Sequence, residues 1–179
     1  SVILAGGGGI VGINSEPWKD LAARAGFLRA QMIEPQSVVT GPWVRLKCRF
    51  GCGGYGRNLQ CPPHSMDHEK TRDLLDSYSR AVLVQGTPPG KSFHDQLLSL
   101  ERSAFLDGFH KALAMGAGPC PVCPSCPEDG SCRNPEKARP AMESCGIDVY
   151  ATAERAGMPL KPVKQKGQYV TYTGMLLLE

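Results

Sequence analysis

Apolar positions recur at helical spacing through Leu21, Ala25 and Leu28, behind Ser15-Glu16-Pro17, where Ser15 is a candidate cap and Pro17 an early helical position. Gly26 weakens that helix toward its end. Ala30 to Val39 and Val44 to Arg49 read as extended segments divided by the turn Thr40-Gly41-Pro42, and the second carries Cys48. From Asp67 to Ser79 charged residues surround Leu74, Leu75 and Tyr78, the pattern of a helix with one inner face, and Ala81-Val82-Leu83-Val84 follows as a short buried strand. Beyond the turn Thr87-Pro88-Pro89-Gly90, the spacing of Leu97, Leu100, Ala104 and Phe105 predicts a long helix, about Phe93 to Met115. Ala141 to Ala156 predicts another helix, while Leu160 to Val163 and Tyr169 to Leu178 read as strands. The elements add up to an α/β (α+β) fold: a small mixed sheet with flanking helices, into which two cysteine-rich loops insert.

Composition changes this picture little. With 179 residues, 41% of them hydrophobic and 21% charged, the chain supports one compact core with a small metal-held appendage. Residues 15–179 are expected to form a single metal-binding α/β domain, preceded by a flexible or artificial tail over residues 1–14. Gly7 to Gly12 formally satisfies G-x-G-x-x-G, with Glu34 at the distance of a ribose-binding acid, but four consecutive glycines meet that pattern easily. Ile13-Asn14-Ser15 also delays the helix that should face a pyrophosphate, so the tail is the favoured reading.

Charge and hydropathy exclude two classes of partner. The formal charge is +3, and the basic residues are scattered rather than gathered into a run with interleaved aromatics, so nucleic acid is not expected. No stretch approaches the roughly 18 apolar residues that cross a bilayer, and the first 13 residues lack the basic start of a secretory signal. The expectation is a cytoplasmic protein without a membrane. In a reducing compartment, eight cysteines point to metal ligation rather than to disulfides.

Gly116 to Pro140 holds six prolines and four cysteines, a composition that cannot build its own apolar core and calls for a metal to organise it. Within it, Cys120-Pro-Val-Cys123-Pro-Ser-Cys126 has the C-x2-C-x2-C spacing with which bacterial ferredoxins wrap three thiolates around one cubane. Tetrahedral zinc in fingers and ribbons takes C-x2-C pairs set farther apart. Cys132 lies beyond the turn Glu128-Asp129-Gly130, which brings the chain back so that it can close the same cluster or ligate a neighbouring one. Proline follows Cys120, Cys123 and Cys126 and removes three local N–H donors to sulfur, which predicts a low potential.

The other block is Cys48-Arg-Phe-Gly-Cys52 and Cys61-Pro62-Pro63, in a stretch whose glycines allow the backbone close to an inorganic core. Its fourth ligand is Cys145, His64, a small molecule or solvent; an open iron would be a reaction site. Cys145 is equally an ordinary buried cysteine, and a site of three cysteines and one histidine would suit zinc. Tyr55, Arg57, Asn58 and His64 stand where they could contact a cofactor or support its ligands. Arg133, Arg139 and Glu143 are candidates for ion pairs that pack the loop, and His68, His94 and His110 read as structural.

Lys47-Cys48 to Cys52-Gly-Gly-Tyr55-Gly-Arg-Asn58 to Cys61-Pro-Pro-His64, then Gly118-Pro-Cys120, then Arg139-Pro-Ala-Met142-Glu143 to Gly146-Ile-Asp148-Val149 carry a family likeness. From about Trp18 to the C-terminus, the chain resembles an uncharacterised family of predicted metal-binding proteins from anaerobic bacteria and archaea. The resemblance implies a cytoplasmic, oxygen-sensitive metal protein and leaves the reaction open. The expected cofactors are two [4Fe-4S] clusters. The expected function is low-potential electron transfer to a redox partner protein, or reductive chemistry on a small-molecule substrate at an open iron. The alternative is a zinc-stabilised binding module without a redox role.

Overall fold

A computed structural model describes residues 16–87, 90–168 and 170–179. The expectations placed on residues 1–14, on the Gly7 to Gly12 pattern and on Ser15 as a cap lie outside the described residues, as do Pro88, Pro89 and Tyr169.

Helix α1 (Glu16–Arg24) leads into strand β1 (Arg29–Ile33), a 3-10 turn (Pro35–Ser37) and helix α2 (Pro42–Gly51). Helix α3 (His68–Asp76), capped by the Asp67 carboxylate on the Lys70 N–H, precedes strand β2 (Ala81–Gly86). Helix α4 (Lys91–Leu106), strand β3 (Leu113–Met115), a 3-10 turn (Glu143–Cys145), helix α5 (Val149–Arg155) and strand β4 (Tyr172–Leu177) complete the chain. The strands form one sheet in the order β1-β2-β4-β3.

The α+β class holds; where a mixed sheet is expected, all three pairings are antiparallel. Alternation along the strands feeds two cores, one on each face of the sheet. Val82 and Val84 of β2 and Leu176 of β4 pack with Trp18 and Ala22 of α1 and with Phe93, Leu97 and Leu100 of α4. Ala81, Leu83, Met175 and Leu177 face the other way, onto Leu75 of α3, Ala153 of α5, and Met142, Cys145 and Ile147. A strand covered on both faces must be apolar throughout, which is why β2 is buried along its whole length.

Several expected elements differ. Ala30 to Val39 is a strand only as far as Ile33, because Pro35 opens a 3-10 turn over Pro35–Ser37. Val44 to Arg49 is helical, because Gly41 caps and Pro42 opens α2, and because Trp43, Leu46 and Phe50 follow the helical rather than the strand period. The long helix expected to reach Met115 stops at Leu106; Gly108, at φ +102°, turns the chain, and Leu113–Met115 returns as an edge strand beside β4. The helix expected over Ala141 to Ala156 is broken at Gly146, whose φ of +80° excludes a helical path. A side chain there would meet the His68 Cβ at 2.8 Å. Leu160 to Val163 is irregular rather than a strand.

Two features position the cysteines. The loop after β3 is clamped at its base, since the Gly116 N–H donates to Pro140 (2.8 Å) and the Met142 N–H donates to Gly116 (2.9 Å). Helix α2 packs on the turn Glu143–Cys145, and the Gly41 N–H donates to the Gly146 carbonyl at 2.9 Å. Among the described residues no helix is long and apolar enough to cross a membrane.

Candidate metal centre

The proline-rich loop turns back on itself at Asp129, whose Oδ1 accepts from the Ser131 N–H (2.9 Å) and hydroxyl (2.6 Å). Cys132 thereby joins Cys120, Cys123 and Cys126 around one cavity of about 20 Å³, walled also by Leu59, Asn134 and Ala138. The Asn134 amide donates to the Cys123 Sγ at 3.0 Å, and the Leu59 N–H donates to the Cys126 Sγ at 3.4 Å. Burial pushes the Cys120 thiol up, while the N–H groups of Val122 and Arg139 pull it back. The three prolines remove the donor directly after each cysteine, as expected, and other donors stand in their place: the Val122 and Arg139 N–H groups at Cys120, Asn134 at Cys123 and Leu59 at Cys126.

Two contacts hold this loop on the body of the protein. His94 of α4, buried, pairs its Nε2 with the Lys137 carbonyl at 2.6 Å. Arg139 forks onto Glu101 of α4, with Nε on Oε2 at 2.8 Å and Nη2 on Oε1, and Glu101 Oε2 also accepts the Ala114 N–H of β3 at 2.6 Å. The ion pair expected for Arg139 is thus present. Glu143 does something else: its Oε1 accepts the Gly118 N–H at 2.7 Å, and its charge raises Cys48 and Cys61.

The first block is built where α2 ends. Cys48 lies in the last turn and Cys52 is the C-cap, its N–H on the Cys48 carbonyl at 3.1 Å. Cys61 returns beneath them, buried, after a turn closed by its own N–H on Asn58 (3.0 Å). Burial, then the neighbouring Cys52, Cys48, Glu143 and Cys120, push Cys61 up to about 12. Burial and the charges of Glu143 and Cys52 raise Cys48 likewise. Thiols so crowded give up their protons when a cation takes the charge, so metal entry and proton release are coupled.

The two blocks meet. Gly54 runs so close to the other loop that a Cβ there would lie 3.1 Å from the Pro119 Cγ, and it would also lie 3.3 Å from the Cys61 Sγ of its own block. Asn58 bridges the loops, its Nδ2 donating to the Cys120 carbonyl at 3.1 Å while its Oδ1 takes the Gln60 N–H at 2.9 Å. Arg57 and His64 stand exposed along an open groove of about 650 Å³ that runs between the loops past Cys120, Cys123 and Cys126. Tyr55 is half-buried on the same turn, its N–H on the Cys52 carbonyl.

Cys145 stands apart from both cavity and groove. It is fully buried in the apolar cluster, its thiol 3.9 Å from the Ser144 hydroxyl, and burial raises it. Glu143, expected among the ion pairs, belongs instead beside the first cysteine block. Nothing local marks it, since its relation to Cys48 and Cys61 arises only when the 3-10 turn packs on α2.

All eight cysteines are free thiols, and sulfur donors of this kind, with N–H groups directed at them, suit either an iron-sulfur cluster or zinc. Among the described residues, no three His, Cys, Asp or Glu side chains stand in position around a single ion as they are. No curated protein and no solved structure matches this chain. The family described as "Predicted metal-binding protein (DUF2284)" matches residues 31–178, which include all eight cysteines, and to that family of predicted metal-binding proteins this chain belongs.

Proposed function

We propose that the chain is an iron-sulfur protein holding two [4Fe-4S] clusters close together and passing electrons between a redox partner and a further acceptor. Cys120, Cys123, Cys126 and Cys132 would hold one, and Cys48, Cys52 and Cys61 three corners of the other. The observation that carries the reading is the set of four thiols around one cavity, with N–H donors on Cys123 and Cys126, beside a second set of three. Three thiolates within seven residues suit the corners of a cubane better than the tetrahedron of a zinc finger. Clusters supply one-electron redox chemistry when bound; the protein contributes their spacing, the donors that tune sulfur basicity, and partial exclusion of water.

On this reading the first block has one corner without a cysteine, and the burial of Cys145 in the apolar cluster supports that assignment. The groove with Arg57 and His64 is what favours reductive chemistry on a small molecule at an open iron as a second reading. The smallness of the four-thiol cavity favours the zinc-stabilised module instead.

Iron, acid-labile sulfide and zinc per chain, measured on protein purified without oxygen, separate these readings. About eight irons and eight sulfides, falling to about four in Cys61→Ala and in Cys132→Ala alike, are expected. Zinc without sulfide would refute the proposal and leave the binding module.

A further inference from the structure

Helix α2 turns an apolar ridge to solvent. Trp43, Leu46 and Phe50 stand at i, i+3 and i+7 and are 48%, 52% and 80% exposed, while Val44 and Cys48 are turned inward. Elsewhere among the described residues large exposed apolar side chains come at element ends, as Leu28, Phe105 and Leu106 do, or singly, as Tyr150, Val163 and Val170 do, which is ordinary for a protein surface. A ridge of three along one helix is not.

The ridge is edged with positive charge. Lys47 lies on the same helix face, exposed and without a partner among the described residues, and the Arg49 guanidinium sits 5.7 Å from the centre of the Phe50 ring. No acidic residue occurs in α2. Arg45 is occupied by the carbonyls of Pro63 and Ser65. Glu143 and Asp148, in the cleft on the Trp43 side, each hold a backbone N–H, from Gly118 and Ala151. At its C-terminal end the ridge runs into Cys52, the exposed member of the first cysteine block.

We propose that this ridge docks an acidic electron-carrier protein, with Trp43, Leu46 and Phe50 at the centre of the contact and Lys47 and Arg49 meeting carboxylates at its rim. The inference rests on the cluster reading above and names its partner class. One electron would leave the reduced centre of the carrier, which is oxidised, and pass by way of Cys52 to the cluster that Cys48, Cys52 and Cys61 would hold, which is reduced; no bond forms or breaks and no proton moves. An apolar centre with a charged rim is the usual anatomy of a transient interface, and the charges set its rate of formation. A second copy is disfavoured, because a two-fold contact would set Lys47 and Arg49 against themselves. A bilayer is disfavoured, because three side chains and two cations bury too little to hold a chain at its surface.

The test uses the full holo-protein, prepared without oxygen, after iron and sulfide have been counted. The probe is a plant-type ferredoxin, an acidic carrier with one [2Fe-2S] centre. Calorimetric binding at low and high salt, and stopped-flow reduction by the reduced ferredoxin, are compared with reduction by dithionite. Affinity and rate are expected to fall about tenfold as salt rises from about 20 to about 300 mM. Lys47→Glu with Arg49→Glu, and separately Leu46→Ser with Phe50→Ser, should each weaken binding about tenfold with iron content and dithionite rate unchanged. Holo-protein with both clusters whose variants bind and accept electrons like wild type would overturn the docking and leave the cluster reading standing. So would ridge variants that change only sedimentation with phosphatidylserine vesicles, or only the dissociation of a dimer. A chain without sulfide would overturn both, at the first step.

Discussion

Replacing Arg139 with leucine tests whether the cysteine loop is anchored through the body of the protein. Arg139 and Glu101 are 16% and 14% exposed, so both charges are largely withdrawn from water. Removing the guanidinium strands the Glu101 carboxylate in that setting, and loss of one partner from such a pair costs about 3 kcal/mol, at the low end of the range for buried pairs because water still reaches it. For a chain of this length that is a fall in melting temperature of about 6–12 °C. The double variant Arg139→Leu, Glu101→Leu removes both charges and should recover part of the loss. It still leaves the Ala114 N–H without its acceptor, at a cost of about 1–3 kcal/mol. Thermal and urea unfolding of the four proteins yields the coupling energy, and the holo form should lose metal at lower temperature in the single variant than in the wild type. A single variant that melts within about 1 °C of wild type, or a coupling energy near zero, would refute the anchoring.

Gly54→Ala should force Pro119 and Cys61 apart, costing about 1–2 kcal/mol and reducing metal content in both sites, as measured by elemental analysis; an unchanged content would mean the loops yield without strain. In the metal-free chain Cys61, pushed up to about 12 by burial and its neighbouring thiols, stays protonated at pH 8, so iodoacetamide should label exposed Cys52 well before Cys61, with labelling followed by peptide mass spectrometry. The folded metal-free chain holds that proton more tightly than the unfolded one, so its stability should fall as pH rises from about 9 toward 12, and a flat profile would contradict the burial argument. Cys145→Ala should leave the metal count unchanged while lowering stability by about 1 kcal/mol; loss of a full site would make Cys145 a ligand after all.

Elements whose burial is one-sided or complete are legible in the sequence alone. The apolar run Ala81 to Val84 is β2, and the stripe Leu97, Leu100 and Ala104 is the inner face of α4. In the loop, the turn at Asp129 that returns Cys132 follows from local composition, and an ion pair at Arg139 is expected, whereas its partner, Glu101 on α4, is supplied by tertiary packing. Helix α2 is harder to see, because Gly41-Pro42 serves as a turn and as a helix start alike, and because its apolar residues at the helical period face solvent rather than a core. Strand β3 merges with the preceding helix in the pattern, since three residues at a sheet edge are too few to show a period and only the register with β4 identifies them. The proximity of Glu143 to the first cysteine block, the withdrawal of Cys145 into the core, and the N–H groups that reach Cys123 and Cys126 are products of tertiary packing. No spacing rule contains them.

The backbone of one cysteine turn donates to a sulfur of the other, and Asn58 fastens the two through a carbonyl of Cys120. The two sites are therefore linked equilibria. Whatever fills the cavity of Cys120, Cys123, Cys126 and Cys132 orders Asn58 and Leu59, and with them the approach to Cys61; by reciprocity, filling the first block raises affinity at the second by the same factor. Half-loaded chains should accordingly be scarcer at intermediate metal supply than two independent sites would give, although a chain with one site removed by mutation still fills the other when metal is in excess.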